Sequence, residues 1–174
     1  AQETQAPASA TLDNLLAAYS AESNAHARYL AFARQAALDD YAAVASLFKA
    51  TAFAEEVHMK GLARLIEKMG GTPGAAVETP VVKSTKENLE AAVAAETDEN
   101  LVRYAAFLKM AEEENMAEAA EVFRNIRAAD ASHIARYEAI LDNLENLQGL
   151  RKDFFVCPVC GYVLDVLTVK ACPS

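Results

Sequence analysis

Glu55 with His58, and Asp130 with His133, each put a carboxylate and an imidazole three residues apart in stretches that otherwise repeat apolar residues at helical spacing. On a helix that spacing stacks both groups on one face, one turn apart, so each pair can close on a single cation. Carboxylate oxygens mixed with imidazole nitrogens suit iron or manganese better than a thiophilic metal. A lone pair of this kind is more often solvated surface, but here four segments carry such groups. Continuing each apolar stripe in steps of three and four turns Glu22 inward on the first segment and Glu55 and His58 inward on the second. It does the same for Glu96 and Glu99 on the third and for Asp130 and His133 on the fourth. Carboxylates buried together each cost several kcal/mol and repel one another. Arg28 and Arg103 can offset only part of that charge, whereas a multivalent metal centre resolves the conflict. One inward Glu from each of two helices (Glu22, Glu96) plus one acid–His pair from each of two others is an arrangement that holds two metal ions.

The elements that must position these groups are helices. Six Gly, five Pro and only 7% aromatic content in an Ala-rich chain of 174 residues favour an all-α body. Thr11 is placed to cap a first helix running to Leu38, and Asp39 and Asp40 mark a turn. A second helix ends at GGTPG, residues 70–74. Residues 70 to about 84 are longer than an antiparallel hairpin needs, which implies a crossover to the other end of a four-helix bundle. Ser84 and Glu87 form a capping-box pair opening the third helix. Asn115, with Glu118 three positions on, is expected to cap a fourth that reaches Leu144.

The two halves align at an offset of 75 residues, RYLAFARQAALDDYAAVASLFK (28–49) on RYAAFLKMAEEENMAEAAEVFR (103–124), which carries His58 onto His133. Upstream the offset falls to 74, because Glu22 precedes Tyr29 by seven residues and Glu96 precedes Tyr104 by eight. One residue inserted within a helix predicts a π-bulge between Glu96 and Tyr104. Tyr29 and Tyr104, related by the duplication, are placed either to donate hydrogen bonds to the ligating acids or to pack in the core. His26 follows Glu22 by one turn and is read as a core histidine bonded to a carboxylate rather than as a ligand. Asp130 stands where the pattern expects Glu and is one methylene shorter. A carboxylate bridging two metals would there become terminal, or its helix would move inward.

All three cysteines lie near the end, in CPVCGY (157–162) and VKACPS (169–174), with the look of metal knuckles rather than a disulfide framework. Cys157, Cys160 and Cys172 supply three thiolates of a tetrahedral site, and the spacing puts a fourth at position 175, past the last residue given. Residues 148–154 form a short hinge, dividing the chain into a bundle over 1–147 and a small module over 148–174 that looks truncated before its fourth Cys. The formal charge of −9 and pI near 4.8 argue against a nucleic-acid groove or an anionic membrane surface as partner. No apolar run approaches the ~18 residues of a bilayer span.

A duplicated bundle carrying ESNAHARY (22–29), EEVH (55–58), ETDE (96–99) and DASH (130–133), followed by CPVCGY, resembles rubrerythrin over nearly the whole chain from about residue 12. The resemblance implies a ferritin-like four-helix bundle with a C-terminal rubredoxin-like module. It implies a di-iron centre on Glu22, Glu55, His58, Glu96, Glu99, Asp130 and His133, and a mononuclear iron on Cys157, Cys160 and Cys172 if a fourth ligand is supplied. Glu99 matches the additional carboxylate that separates rubrerythrins from ferritins and bacterioferritins. The implied activity is a non-haem di-iron peroxidase that reduces hydrogen peroxide to water in oxidative-stress defence. One iron moves in that family between a carboxylate and a histidine, by position Glu99 and His58. Electrons would come from an external donor such as rubredoxin or its reductase, through the cysteine iron. A homodimer would bring one subunit's tail near another's bundle. The alternatives are a ferroxidase or oxygen-reducing di-iron protein, and an iron-storage protein. The family setting is cytoplasmic; the opening AQETQAPASA, without an initiator Met, suits equally a processed periplasmic chain or one trimmed at its start.

Overall fold

The computed structural model describes residues 9–166 and Cys172. Helix α1 (Ala10–Leu38) packs along α2 (Ala42–Lys68), and a link without regular structure carries the chain to α3 (Thr85–Asp98). A π-helical turn, Glu99–Arg103, joins α3 to α4 (Tyr104–Glu113), and the three together form the third rod of the bundle. The fourth is α5 (Ala117–Leu141), which packs on α3 and α4. No described helix is long and apolar enough to cross a membrane.

The ends of these helices show how local chemistry sets their positions. Thr11 does not cap α1: it lies buried inside the first turn, with Ser9 at the cap position. The orphan amides are met from the other half of the chain, where the Glu114 carboxylate accepts from Ala10 N–H (3.1 Å), Thr11 N–H (3.0 Å) and Ser9 Oγ (2.8 Å). Those donors hold the Glu114 carboxyl down at about 2. The capping box at Ser84 and Glu87 forms as expected. Asn115 is not a cap either: at φ 58° it makes the left-handed turn between α4 and α5, and Met116 precedes the helix. Leu144 falls beyond α5, in a short 3-10 turn.

The crossover is tied down at its middle and where it enters α3. Asn24 on α1 donates to the Ala76 carbonyl and accepts from Glu78 N–H (2.9 Å), and Asp39 accepts from both Thr85 N–H (3.1 Å) and its hydroxyl (2.6 Å). The inserted residue in the third rod is absorbed by the π turn, where Tyr104 N–H reaches back to the Glu99 carbonyl.

Two apolar clusters fill the bundle. One gathers Tyr29, Phe32, Leu47, Phe48, Leu89 and Tyr137; the other gathers Leu15, Leu62, Ile66, Tyr104, Phe123 and Ile126. On every rod a buried acid interrupts the passage from one cluster to the other: Glu22 between Leu15 and Tyr29, Glu55 between Phe48 and Leu62, Glu96 between Leu89 and Tyr104, Asp130 between Ile126 and Tyr137. The bundle is thus a polar layer closed above and below by hydrocarbon, which removes water from the acids.

After the bundle the chain is held, not loose. Gly149 N–H donates to the Asp40 carbonyl (2.8 Å) and Ala43 N–H to the Leu150 carbonyl (3.1 Å), which pins the expected hinge against the α1–α2 turn. The strands β1 (Phe155–Val156) and β2 (Val163–Leu164) then pair antiparallel, Phe155 opposite Leu164 and Val156 opposite Val163. Between them lies the knuckle carrying Cys157 and Cys160.

Candidate metal centre

All seven predicted groups are buried, the most accessible being Glu99 at 9%. Five of them form two three-donor groups that share one carboxylate: Glu22, Glu55 and His58, and Glu55, Glu96 and His133, with ligand-type atoms in each group within 4.8 Å of one another. His58 Nδ1 lies 2.9 Å from Glu55 Oε2 and 3.7 Å from Glu22 Oε2. His133 Nδ1 lies 3.3 Å from Glu96 Oε2 and 3.7 Å from Glu55 Oε1. One oxygen of Glu55 thus faces each histidine.

His133 Nδ1 is within hydrogen-bond reach of Glu96 Oε2, but both Glu55 oxygens and His58 Nδ1 are buried without a hydrogen-bond partner among the described residues. Native interiors seldom leave such groups unsatisfied. Lone pairs brought this close but not aimed at each other fit cations held between them, so the residues present suit a pair of metal ions.

The tyrosines cross between the halves. Tyr29 donates to Glu96 Oε1 at 2.6 Å, and Tyr104 donates to Glu22 Oε1. Each half of the duplication holds the acid of the other, and the π turn lets Tyr104 keep this place despite the extra residue. Burial and the neighbouring carboxylates push both phenols well above their ordinary range, so they remain neutral donors.

Asp130 and Glu99 stand beside the two groups rather than in them. Asp130 Oδ1 is 3.9 Å from His133 Nδ1, and Oδ2 is buried without a hydrogen-bond partner among the described residues. Its short side chain keeps it out of a donor group, in line with the missing methylene. Glu99 lies on the π turn and accepts from Arg103 Nη1 at 3.1 Å. Burial among Glu22 and Glu96 lifts Glu99 to about 8. Burial and the surrounding acids likewise push Glu55 and Asp130 well up. Burial alone would lower His58, but bonding and charge from Glu22 outweigh it and raise the imidazole to about 9. Glu22 goes the other way: burial raises it, and the His58 and Tyr104 contacts bring it net below its usual value. His26 is no part of this layer; its Nδ1 sits 2.7 Å from the Ala52 carbonyl, not against a carboxylate.

The cysteines gather as the knuckle reading expects. Cys172 Sγ lies 3.5 Å from Cys157 Sγ and 3.1 Å from Cys160 Sγ, and the turn is closed by Gly161 N–H to the Cys157 carbonyl at 2.9 Å. The other residues of the expected second knuckle, 169–171, 173 and 174, lie outside the described residues.

One feature escaped the sequence entirely. The knuckle rests on its own chain's histidines: His58 Nε2 is 3.1 Å from the Cys160 carbonyl, and His133 Nε2 is 3.1 Å from the Gly161 carbonyl. Only glycine fits there. Gly161 has φ +80°, and a Cβ on it would lie 2.5 Å from His58 Nε2. Main-chain carbonyls leave no trace in residue types, and the one available signal was Gly161 itself. Gly161→Ala should loosen the docked knuckle by about 1–2 kcal/mol from backbone strain alone, plus the collision. The check is faster amide exchange at Val163, whose N–H is held 2.9 Å from Ser132 Oγ, with the helical circular dichroism of the bundle unchanged.

Known proteins match this arrangement along the chain. The family model for rubrerythrin matches residues 13–141. Nigerythrin of Nitratidesulfovibrio vulgaris is 36% identical over 165 residues, covering 94% of this chain and 80% of that protein. Rubrerythrin of Porphyromonas gingivalis is 37% identical over 172 residues, covering 95% and 85%. Among solved structures, nigerythrin in its fully reduced, all-ferrous state superposes with a TM-score of 0.89 at 33% identity, over 99% of this chain and 85% of that one. A Desulfovibrio desulfuricans bacterioferritin with a di-iron site gives 0.73 at 26% identity, over 79% and 81%. The bacterioferritin likeness extends over less of the chain than the nigerythrin one, which takes in bundle and knuckle together; the chain belongs to the rubrerythrin family.

Proposed function

We propose that this chain is a non-haem di-iron peroxidase that reduces hydrogen peroxide to water. The observation that carries the reading is the pair of three-donor groups sharing Glu55, with Glu99 as a further buried acid on the π turn beside them. Glu22 and His58 would hold one iron, Glu96 and His133 the other, and Glu55 both, with Asp130 and Glu99 as carboxylates in reserve. Iron bound there supplies two electrons, one from each ferrous ion, which with two protons convert hydrogen peroxide to two waters.

The chain's own residues manage geometry and protons. Tyr29 and Tyr104 each occupy one oxygen of Glu96 and Glu22 and leave the other turned to the centre. Glu99, buried on the π turn beside the two donor groups, is placed to hand a proton to the departing oxygen. Arg103 holds it aside while His58 occupies the donor group, an arrangement that suits a ferrous ion, since the softer ion accepts neutral imidazole. The cysteine cluster would pass electrons inward from an external donor, a role supported by the contact between the Cys160 carbonyl and His58. Residues 148–174 would serve as that electron-delivering module.

Glu99→Ala tests the reading. Reduced protein mixed anaerobically with hydrogen peroxide should reoxidise at least about 100-fold more slowly than the parent, while iron content stays near two per bundle. Peroxide oxidation at the parental rate would contradict it. The likeness to bacterioferritin favours a second reading, oxidation of ferrous iron by oxygen. Oxygen reoxidising the parent faster than peroxide does would select it.

A further inference from the structure

We propose that the Cys160–Gly161 turn is a working part of the bundle's metal site: its carbonyls hold His58 and His133 as Nδ1 ligands, so metal at the cysteine cluster and metal at the bundle bind cooperatively. This rests on the two-metal reading above. A carbonyl oxygen only accepts, so a hydrogen bond to Cys160 or Gly161 requires the proton on Nε2. That leaves Nδ1 as the lone pair of each neutral ring, and Nδ1 is the atom that faces the carboxylates. Without the turn each ring is free to exchange tautomers and to swing. With it, both are fixed in the form that binds metal.

The turn is built for this contact. Gly161 approaches His58 more closely than any residue with a Cβ allows. Ser132, the neighbour of His133 on α5, is buried, donates to the Ala129 carbonyl at 2.6 Å and accepts from Val163 N–H at 2.9 Å, which clamps β2 to the helix that bears the histidine. Val163 is itself fully buried in the apolar cluster of the bundle. Cys160 belongs to both sites, with its sulfur in the cysteine cluster and its carbonyl on His58. A metal that gathers the thiolates therefore stiffens the segment that orients the histidines. By reciprocity, metal in the bundle must tighten the cysteine site by the same factor.

The test uses the full chain and two ions of opposite preference. One equivalent of Cd2+, a soft ion, goes to the thiolates; Mn2+, a hard one, goes to the carboxylates and can be followed through the paramagnetic resonance of the free ion. Prior Cd2+ should tighten Mn2+ binding about tenfold, the lower end of what outer-shell groups contribute. Cys157→Ser should abolish that gain and leave Mn2+ affinity at the Cd2+-free value. Ser132→Ala, with unchanged helical circular dichroism, should weaken Mn2+ binding by about tenfold and make it indifferent to Cd2+. Ring 15N spectra of the metal-free parent, taken above pH 9 where the His58 ring is neutral, should show both histidines protonated at Nε2 and, in Ser132→Ala, mixed tautomers. Two Mn2+ bound equally tightly with and without Cd2+ would overturn the coupling and leave the two-metal reading standing. A parent that binds no Mn2+ in the bundle would overturn both.

Discussion

Glu55→Gln should empty the bundle of both metals, whereas Glu22→Gln should cost only one. The difference follows from membership: Glu55 lies in both three-donor groups, Glu22 in one. An amide at position 55 removes the negative charge that two cations share and aims an N–H2 donor at one of them. Affinity at both positions should fall by more than about 100-fold, beyond the range typical of outer-shell substitutions. Peroxide turnover should vanish with it. Iron per chain after gel filtration, counted apart from the cysteine iron by its visible absorption, is the check. Equal iron loss in the two variants would mean that the acids do not divide the metals in this way.

The second large effect is a reversal of pH dependence on metal removal. In chelated protein Glu99 is protonated up to about 8 in the folded state, whereas an unfolded glutamate ionises near 4.5. Above 4.5 the unfolded chain releases a proton that the fold retains, so stability falls as pH rises toward 8. Glu55 and Asp130, also raised, act with the same sign. His58, raised from 6.5 to about 9, stabilises the fold fully below 6.5 and loses that contribution as pH rises through 9. The groups held low, Glu114 at about 2 together with Asp39 and Asp165, act only in acid, where their stabilisation is lost as pH falls. Between pH 5 and 8 the chelated protein should therefore melt at progressively lower temperature. Iron-loaded protein should do the opposite, because metal competes with protons for the same oxygens and nitrogens. At a metal concentration 100 times the dissociation constant the bound ion adds about 2.7 kcal/mol. Parallel melting curves for the two forms would contradict this.

How much of this was legible beforehand differs by level. The acids on four stripes, the capping box at Ser84, the long crossover and the π turn all follow from spacing and residue type, because they are periodic or local. Thr11 and Asn115 do not cap their helices, for different reasons: the start of α1 is organised by Glu114, distant in sequence, and that of α5 by the left-handed turn at Asn115 itself. The buried layer of acids and histidines was legible as a set but not in its grouping. That Glu55 is shared, while Asp130 and Glu99 stand aside, depends on side-chain reach across the bundle and on the Arg103 contact. The knuckle meets the histidines of its own chain through carbonyls that no residue type encodes.

The central claim is that buried acids and histidines from four rods gather around two cations. Anomalous diffraction at the iron edge from iron-loaded crystals measures this most directly. The account predicts two peaks in the polar layer about 3.5–4 Å apart, one beside Glu22 and His58, one beside Glu96 and His133, with the Glu55 carboxylate between them. A single peak, or iron only at the cysteines and the surface, would contradict it.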